Sequence, residues 1–500
     1  MRLALRRLSG TAASAATAPS NAGKAGAPAS IIVQKFGGTS LGTSEKLEKS
    51  TSIIRQFHQP ENAQGVIAVV SALSSETKAE GTTSRLLAAA DAAVQQKDFG
   101  TYLDRIEDTH MDALYGILKS RAGREETRAF VTKELHAVRE FCTALGVIRE
   151  ISPRSHDLII GCGERLSAGL IAGVLKDQGL DARYVNLSQA FNDLNTHKRG
   201  YQRAARDVLS KILKPILDQG GLPVVSGFFG HVQGGIIHGV GRGYTDLTAA
   251  LCAGAVNAKA LQVWKESDGV FTGNPTKIAE AKLVGLITPA EAAELTAFGN
   301  EVLHPFTMAC AIESNVPIHI LNTFKPSSAG TVIEDPPAAS DALKGRAGKH
   351  GIVAVCSKKN VTVLNLQGNG VREASDFYAS IFQAFARHGV KADLVTSSIS
   401  QVSVALHEST PAQAIEATVK DLEEFSTCKV RPQRAIVACV GEGMAHQVGL
   451  AARLFGCLAE AGINIELMAQ GASEINMSVV IDQKDEEKAI KAIHSKLLVK

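Results

Sequence analysis

The sequence lacks the paired cysteines and the long apolar runs that mark metal-bound, disulfide-rich or membrane-spanning proteins. Its eight cysteines include no Cys-x-x-Cys pair and no histidine at ligand spacing, so we interpret them as reduced core residues of an intracellular protein. No uninterrupted apolar run reaches the ~18 residues needed to cross a bilayer. The pattern predicts a soluble protein without a membrane partner.

An excess of either charge is also missing. Lysine and arginine number 53, against 50 aspartate and glutamate residues. Four of the basic residues lie within the first 30, which contain no acid, so the remaining chain is nearly neutral. Nothing in this balance indicates a nucleic-acid partner.

The first 30 residues differ in composition from the rest of the chain. They are rich in arginine, serine and alanine, which is typical of a mitochondrial or other organellar transit peptide. The alternative is a disordered extension on a cytoplasmic protein. We therefore expect residues 1–30 to be a disordered leader or a transit peptide.

A phosphate site is predicted where the first strand gives way to the first helix. Ile31 to Phe36 forms a buried-strand pattern, and a helical pattern begins at Ser44. Between them, Gly37 and Gly38 allow backbone N–H groups to close on an anion, and Lys35 adds a positive charge. The alternative is an ordinary tight turn with the lysine side chain extended towards solvent.

Strands alternate with helices over the first ~325 residues, which predicts an α/β fold with a mostly parallel sheet sandwiched by helices. Residues 98–149 predict a pair of surface helices. The stretch 326–350 is rich in Pro, Ser, Ala, Gly and Lys without periodicity, so we interpret it as a linker.

Two charged residues stand beside glycines within this region. Glu164 follows Gly161-Cys-Gly163 inside a helical pattern, which weakens a dinucleotide-binding interpretation because such a motif opens a helix. An ion pair with Arg165 or another base is the structural alternative.

Arg242 lies between glycines, where its forked guanidinium group suits a carboxylate. Thr245 and Asp246 follow at a predicted helix start, where capping is the structural alternative.

The last part of the chain contains an internal repeat. A shift of 73 positions aligns Gly368-Asn-Gly370 with Gly441-Glu-Gly443, and Gly389 with Gly462. Each unit has the pattern strand, helix, strand, strand. We expect two small α/β modules that pack together and expose loops for a small ligand.

Several stretches spread along the sequence, from Lys35 to Pro305, resemble the signature stretches of aspartate kinase, in its monofunctional fungal form. The resemblance covers residues ~31–500, and the repeat is similar to the tandem ACT regulatory domains of that family. It implies an amino acid kinase catalytic domain over 31–325, the linker 326–350, and βαββ ACT domains over 351–430 and 431–500. The stretches are Lys35-Phe-Gly-Gly-Thr-Ser, Gly163-Glu164, Gly241-Arg-Gly-Tyr-Thr-Asp246, Trp264 and Phe298-Gly-Asn-Glu-Val-Leu-His-Pro305.

The resemblance implies transfer of a phosphoryl group from MgATP to the side-chain carboxylate of L-aspartate, a step towards threonine, methionine and, in some organisms, lysine. It also implies feedback inhibition, with threonine as the expected inhibitor, and a homo-oligomer. Mg²⁺ would be held mainly by phosphate oxygens and water, with no dedicated protein ligands. The implied residues are Lys35 and Asp246 for catalysis; Thr82, Thr83, Glu164, Arg242 and Thr245 for aspartate; Lys35, Gly37, Gly38, Ser40, Lys265, Phe271 and Lys277 for nucleotide; and Asp393, Thr396 and Ser397 for the effector.

The chain departs from the family pattern twice. It has Asn274-Pro275-Thr276 where many relatives have Asp-Pro-Arg, so a basic nucleotide contact is missing unless Lys277 replaces it. An acid that relatives place after Thr396-Ser397 is also absent. The alternatives are another amino acid kinase, or a catalytically silent sensor that binds amino acids through its ACT domains.

Overall fold

A computed structural model describes residues 30–59, 63–74, 80–191, 201–231, 235–236, 243–300, 303–335, 350–370 and 373–499. Three sequence predictions fall outside these ranges. They are the leader before Ser30, the carboxylate clamp Arg242, and the part of the predicted 326–350 linker that lies between residues 335 and 350. The first ten residues of that predicted linker are described and include a strand of the first sheet, Thr331–Ile333, so the predicted start of the linker at residue 326 is wrong.

The described residues before 336 contain one sheet of eight strands, as the α/β prediction requires. Its order is β3-β4-β2-β1-β5-β7-β8-β6, and every neighbouring pair is parallel except β7 and β8. The prediction of a mostly parallel sheet is therefore confirmed. The strands are β1 (Ser30–Phe36), β2 (Gln64–Val70), β3 (Ala182–Val185), β4 (Leu222–Ser226), β5 (Ala260–Lys265), β6 (Leu286–Ile287), β7 (Ile318–Asn322) and β8 (Thr331–Ile333).

Helices cover both faces of this sheet. Alternate residues of a strand point to opposite faces. Val33 and Val69 lie with α6 and α7 in one apolar core, while Val66 and Val70 lie with α1 and α5 in another. The helices are α1 (Ser44–Phe57), α2 (Thr82–Val94), α3 (Gly100–Ile117), α4 (Arg121–Ile148), α5 (Pro153–Asp177), α6 (Tyr201–Leu217), α7 (Tyr244–Ala255), α8 (Pro289–Ala297) and α9 (Pro305–Ser314). The predicted pair over 98–149 is α3 and α4.

Helix α5 is the central helix of the fold. Its length and composition would allow it to cross a membrane, but 83% of its most apolar window is buried inside the protein. Ser152 caps its start by accepting from the N–H of Ser155, and Pro153 occupies its first position. We interpret it as a core helix, because its apolar surface is already covered by protein.

The described residues after 350 form a second, antiparallel sheet of six strands. Its order is β10-β11-β9-β12-β14-β13. The strands are β9 (Ala354–Gly368), β10 (Ala392–Ser397), β11 (Gln401–Leu406), β12 (Ser426–Val440), β13 (Leu467–Gln470) and β14 (Asn476–Asp482). The helices are α10 (Ala374–His388), α11 (Ala412–Glu423), α12 (Leu450–Glu460) and α13 (Glu486–Ile493).

The repeat seen in the sequence is present in the backbone. Helices α10 and α12 end at Gly389 and Gly462, with φ of +66° and +65°. These left-handed conformations favour glycine, which explains why the repeat keeps it at both positions.

The two modules share their longest strands. Residues 363–368 of β9 pair with residues 426–431 of β12, and residues 354–358 pair with residues 436–440. Between these stretches the register shifts, and Asn360 and Gln433 adopt φ of +58° and +57°. The first stretch packs with α10 and α11, the second with α12 and α13. Each βαββ unit is thus completed by half of the other unit's first strand.

Candidate active site

The predicted phosphate turn lies at the carboxyl end of β1, directly against the end of β2. Residues Gly38–Ser40 form a short 3₁₀ turn, and the N–H of Ser74 donates to the carbonyl of Gly38 at 3.0 Å. A Cβ on Gly38 would lie 2.3 Å from the Ala72 carbonyl oxygen. Only glycine permits this approach of the two strand ends.

Lys35 forms an ion pair at this turn. Its Nζ lies 2.7 Å from Oδ1 of Asp246, and the two side chains are 11% and 13% exposed. The alternative of a lysine extended into solvent is therefore wrong. Among the described residues, a Cβ on Gly37 would meet only Lys35 Nζ within 4 Å, at 3.8 Å, so no other described atom crowds the backbone beside the amine. Ser40 is buried, and its hydroxyl accepts from Thr323 at 3.2 Å.

The start of α7 supplies Asp246 and Thr245 without capping the helix through either. The N-cap is Gly243, which has no side chain to accept from the helix, so the capping alternative is wrong. Instead, Thr245 Oγ1 donates to Glu164 Oε1 at 2.8 Å and lies 3.1 Å from Ser71 Oγ. Because Thr245 has one hydroxyl proton, Ser71 donates to it.

Glu164 is a buried carboxylate on α5, with 1% of its surface exposed. Burial raises its pKa to about 8, against the lowering effects of hydrogen bonds from Thr245 and Tyr244 and of the Lys35 charge. The alternative of an ion pair with Arg165 is wrong, because Arg165 Nε binds Glu134 at 2.8 Å. Within the described ranges, no basic side chain forms an ion pair with Glu164.

A cavity of about 290 Å³ lies between Glu164 and the turn that follows Lys35, although Lys35, Thr245 and Asp246 are not among its lining residues. It brings together four predicted residues: Gly38 of the turn, Thr82 and Thr83 at the start of α2, and Glu164. Its lining is rich in hydroxyl groups and carries one buried acid, so it suits a small polar ligand with a positively charged group. The other lining residues include Ser71, Ser74, Ser84, His156 and Tyr244.

The predicted nucleotide residues are spread more widely. Lys265 ends β5, the strand beside β1, and Phe271 forms an isolated bridge with Leu283. Lys277 Nζ lies 2.7 Å from Glu486 Oε1 at the start of α13, so this lysine binds the regulatory part of the chain. None of these three residues lines the cavity.

The segment that departs from the family pattern forms a local turn. The side-chain carbonyl of Asn274 accepts from the backbone N–H of Thr276 at 2.9 Å and from its hydroxyl at 2.7 Å. Asn274 therefore has a structural role in the turn that precedes Lys277.

The predicted effector residues all lie in β10, at the edge of the six-stranded sheet. Asp393 pairs with Lys358 of β9 at 2.9 Å, and both side chains are largely buried. The repeat reproduces the arrangement, since Glu466 pairs with Arg434 at 2.8 Å. Thr396 is half-buried and Ser397 is exposed.

Sequence reasoning missed several residues of the site. Tyr244 and His304 lie within the signature stretches, but the sequence alone assigns them no role. His304 packs against the start of α7, because a Cβ on Gly243 would lie 2.6 Å from Cβ of His304. Burial lowers the pKa of His304, and the charge of Asp246 opposes this. Ser71 and His156 had no motif, although the end of a parallel strand was a usable signal for Ser71.

The described residues contain no cluster of three or more His, Cys, Asp or Glu side chains able to hold a metal ion. Asp246 is the carboxylate that lies beside Lys35. A single carboxylate beside a lysine fits a metal ion that takes most of its ligands from phosphate and water.

The comparisons with known proteins agree with this geometry. Residues 30–322 match the amino acid kinase family, and residues 437–497 match an ACT domain. The aspartokinase of Candida albicans is 38% identical over 499 residues, which is 95% of this chain and 91% of that protein. The aspartokinase of Schizosaccharomyces pombe is 38% identical over 488 residues, 93% of this chain and 92% of that protein.

Solved structures show the same likeness. E. coli aspartokinase III in complex with aspartate and ADP has a TM-score of 0.74 and 25% identity, covering 93% of this chain and 99% of that one. The same values hold for that enzyme in complex with lysine and aspartate in its T-state.

Proposed function

This chain belongs to the aspartokinases of the amino acid kinase family, and on that premise we propose that it transfers the γ-phosphoryl group of ATP to the side-chain carboxylate of L-aspartate. The family makes it an ATP-dependent aspartate kinase; the proposal adds 4-phospho-L-aspartate as the product and a place at the start of threonine and methionine synthesis. The observation that carries it is the cavity in which buried Glu164 and two threonines face the turn beside Lys35.

Aspartate binding rests on charge and hydroxyl groups. Glu164 is proposed to pair with the ammonium group of the substrate, and this is supported by its place in the cavity that Thr82 and Thr83 also line. Arg242 is proposed to bind the α-carboxylate in a bidentate manner, from the glycine-rich stretch that precedes α7. These groups fix the side-chain carboxylate towards Lys35.

The reaction needs little proton chemistry. A free aspartate side chain, with an ordinary pKa of ~3.9, is already ionised at pH 7, so no general base is required. The obstacle is the repulsion between that anion and the phosphates, so positioning and charge neutralisation supply most of the catalysis. Lys35, held by Asp246, provides the positive charge beside the open backbone of Gly37.

ATP supplies the phosphoryl group when bound. Gly37, Gly38 and Ser40 would hold its phosphates beside Lys35, and Lys265 would lie beside the nucleotide. Mg²⁺ would be held mainly by phosphate oxygens and water, and would supply further positive charge. Phe271 and Lys277 are proposed on the nucleotide side, and Lys277 must leave Glu486 to reach it.

The experiment is a coupled assay for ADP release with and without L-aspartate. Aspartate-dependent release, with matching acyl phosphate detected by hydroxylamine, supports the proposal. A chain that shows an amino-acid-dependent rise in melting temperature but no turnover would instead be a sensor. Turnover with another amino acid and none with aspartate would indicate a different amino acid kinase.

We propose threonine as the feedback inhibitor and a homo-oligomer as the active form. Support comes from the two ACT-type modules and from exposed apolar residues on and beside the edge strand β10, Val395 and Ile399, at 40% and 87% exposure. Millimolar threonine should lower the rate, and light scattering should give a mass above one chain. An unchanged rate, or a monomeric mass at assay concentration, contradicts the respective proposal.

We also propose an organellar, mitochondrial location on the composition of the leader, with the cytoplasm as the alternative. Sequencing the N-terminus of the protein from its own cells tests this. A start near residue 30 supports removal of a transit peptide, and a start at Met1 or Arg2 contradicts it.

A further inference from the structure

Asp157 is a buried carboxylate on α5 that the proposed mechanism does not use. It is fully buried, two helical turns before Glu164. Its Oδ2 lies 2.7 Å from Nδ1 of His231, and its Oδ1 accepts from the backbone N–H of Ile236 at 2.8 Å. Both partners belong to the segment that follows β4, so one carboxylate binds that segment at two described points.

The same face of α5 receives an aromatic ring of this segment. Asp157, Gly161 and Glu164 are spaced by four and three residues, which places them on one side of the helix. A Cβ on Gly161 would lie 2.3 Å from Cδ1 of Phe228, so the ring packs directly on the helix backbone. The ring also meets Tyr244 edge-on, with centroids 6.4 Å apart.

The segment contacts the start of α7 as well. A Cβ on Gly227 would lie 2.5 Å from Cγ2 of Thr245, and Thr248 donates its hydroxyl hydrogen to the Gly227 carbonyl. Residues 227–231 therefore lie between α5 and the first turn of α7. That turn carries Thr245, whose hydroxyl group donates to Glu164 at 2.8 Å, and Tyr244, which lines the same cavity as Glu164.

We propose that Asp157 is a positioning residue for aspartate binding. By holding the segment after β4 against α5, it fixes Tyr244 and Thr245 relative to Glu164, and so sets the geometry offered to the substrate ammonium group. This rests on the proposed function, because it assigns Glu164 to that ammonium group. A charged carboxylate suits the task, since a charge-assisted bond to His231 is stronger than a neutral one.

Asp157→Asn tests the proposal. The variant keeps the shape and an acceptor for Ile236 but removes the charge that faces His231. The matched control is Asp177→Asn on the same helix, where the carboxylate accepts from the backbone N–H of Lys119 at 2.7 Å, away from the cavity. We expect Asp157→Asn to raise the KM for aspartate about tenfold while KM for ATP changes less than about twofold. The control should leave both KM values unchanged.

The proposal is overturned if Asp157→Asn leaves the KM for aspartate unchanged. It is also overturned if Asp157→Asn and the control Asp177→Asn change the KM for aspartate and the KM for ATP by the same factors. Should Asp157→Asn fail to fold, His231→Asn serves instead, because His231 is 30% exposed and the bond to Ile236 remains. His231→Asn should raise the KM for aspartate by a smaller factor, and no rise overturns the proposal.

The double variant tests whether Asp157 and His231 act together. If both single variants fold, the double variant should raise the KM for aspartate no more than Asp157→Asn alone. Additive increases would contradict the coupling of the two residues. A wild-type chain without aspartate turnover would refute the proposed function itself, a separate outcome.

Discussion

Two buried glutamates, one at the cavity and one at the junction of the two sheets, show opposite electrostatics. Glu164 is 1% exposed and Glu486 is 0% exposed. Burial raises the pKa of Glu164 to about 8, since hydroxyl groups are its direct partners. Burial acts on Glu486 as well, but Lys277 and Ser357 outweigh it and lower the pKa of that carboxylate.

The difference teaches which buried acid is already paired and which is ready for a ligand. Glu486 receives Lys277 at 2.7 Å and Lys359 at 3.2 Å, so its charge is neutralised inside the folded chain. Glu164 forms no ion pair with the described residues, and a cationic ligand would complete it. A buried acid without a cation is thus a mark of a binding site, and one with two cations is a mark of a structural junction.

The largest expected effect is that of Lys35→Met, which removes the cation next to the cavity. We expect kcat to fall about a thousandfold, because the charge repulsion between the reactants is no longer neutralised. Steady-state and single-turnover assays measure this, and calorimetry should still detect binding of both substrates. Lys49→Met is the control, because that lysine pairs with Glu45 on the surface of α1. An undiminished kcat in Lys35→Met would place catalysis elsewhere.

Glu164→Gln should have the next largest effect and act on KM. Losing the carboxylate that is proposed to pair with the ammonium group should raise the KM for aspartate about a hundredfold. In the wild type, the KM should fall as the pH rises towards about 8, because Glu164 then ionises and can pair with the ligand. In the variant this pH dependence should vanish. Glu134→Gln, which affects only the pair with Arg165, is the control.

The same substitution has the opposite effect on stability. A pKa raised in the folded state means that Glu164 contributes stability below its ordinary value of 4.5, which is lost as the pH rises through about 8. Glu164→Gln carries no such loss. Its melting temperature relative to the wild type should therefore increase from pH 5 to pH 8.5; a constant difference contradicts the assignment.

Glu486→Gln should show the reverse pattern, a loss of stability with little loss of activity. Removing this charge leaves Lys277 and Lys359 without a counter-ion at a buried position, which should cost about 3 kcal/mol of the free energy of unfolding at pH 7. Because the pKa of Glu486 is lowered, its contribution is present above the ordinary value of 4.5 and is lost as the pH falls below it. Denaturant unfolding at several pH values measures this.

Glu487→Gln is the matched control for that experiment. The neighbouring residue is 56% exposed and pairs with Lys491 on the helix surface, so its loss should be undetectable. Equal destabilisation by both substitutions would remove the distinction between a buried junction and a surface pair.

The smallest effects should come from deleting one hydroxyl at each site. Ser71→Ala removes the donor to Thr245 and should raise the KM for aspartate about threefold without changing stability much. Ser357→Ala removes a donor to Glu486 and should cost about 1 kcal/mol of stability without changing KM. Parallel kinetic and unfolding measurements compare the two. Identical profiles would mean that the two glutamates do not differ in role.

Much of this fold was predictable because the signals are local. The glycine pair after a buried strand fixed the turn at Gly37 and Gly38, and the helical pattern around Glu164 was confirmed as α5. The 73-residue shift found both modules through the glycines that end α10 and α12. The turn and the helix depend on residues within one or two helical turns of each other, and the repeat depends on the same local pattern occurring twice.

The junction could not be predicted, because its partners are remote in sequence. Lys277 and Glu486 are separated by 209 residues, and neither lies in a motif that identifies the other. For the same reason the pairing of Arg165 with Glu134 was missed, since helix packing decides it. The sharing of β9 and β12 escaped because periodicity gives a strand's length and not its neighbours.

That sharing has a consequence for how the regulatory half can change. A chain cut after Arg431 would keep one module whole and leave residues 354–358 with an unpaired hydrogen-bonding edge, open to aggregation. No single crossover point can therefore exchange one module with that of a relative and leave the other module intact. The two modules should be inherited, and engineered, as one indivisible cassette.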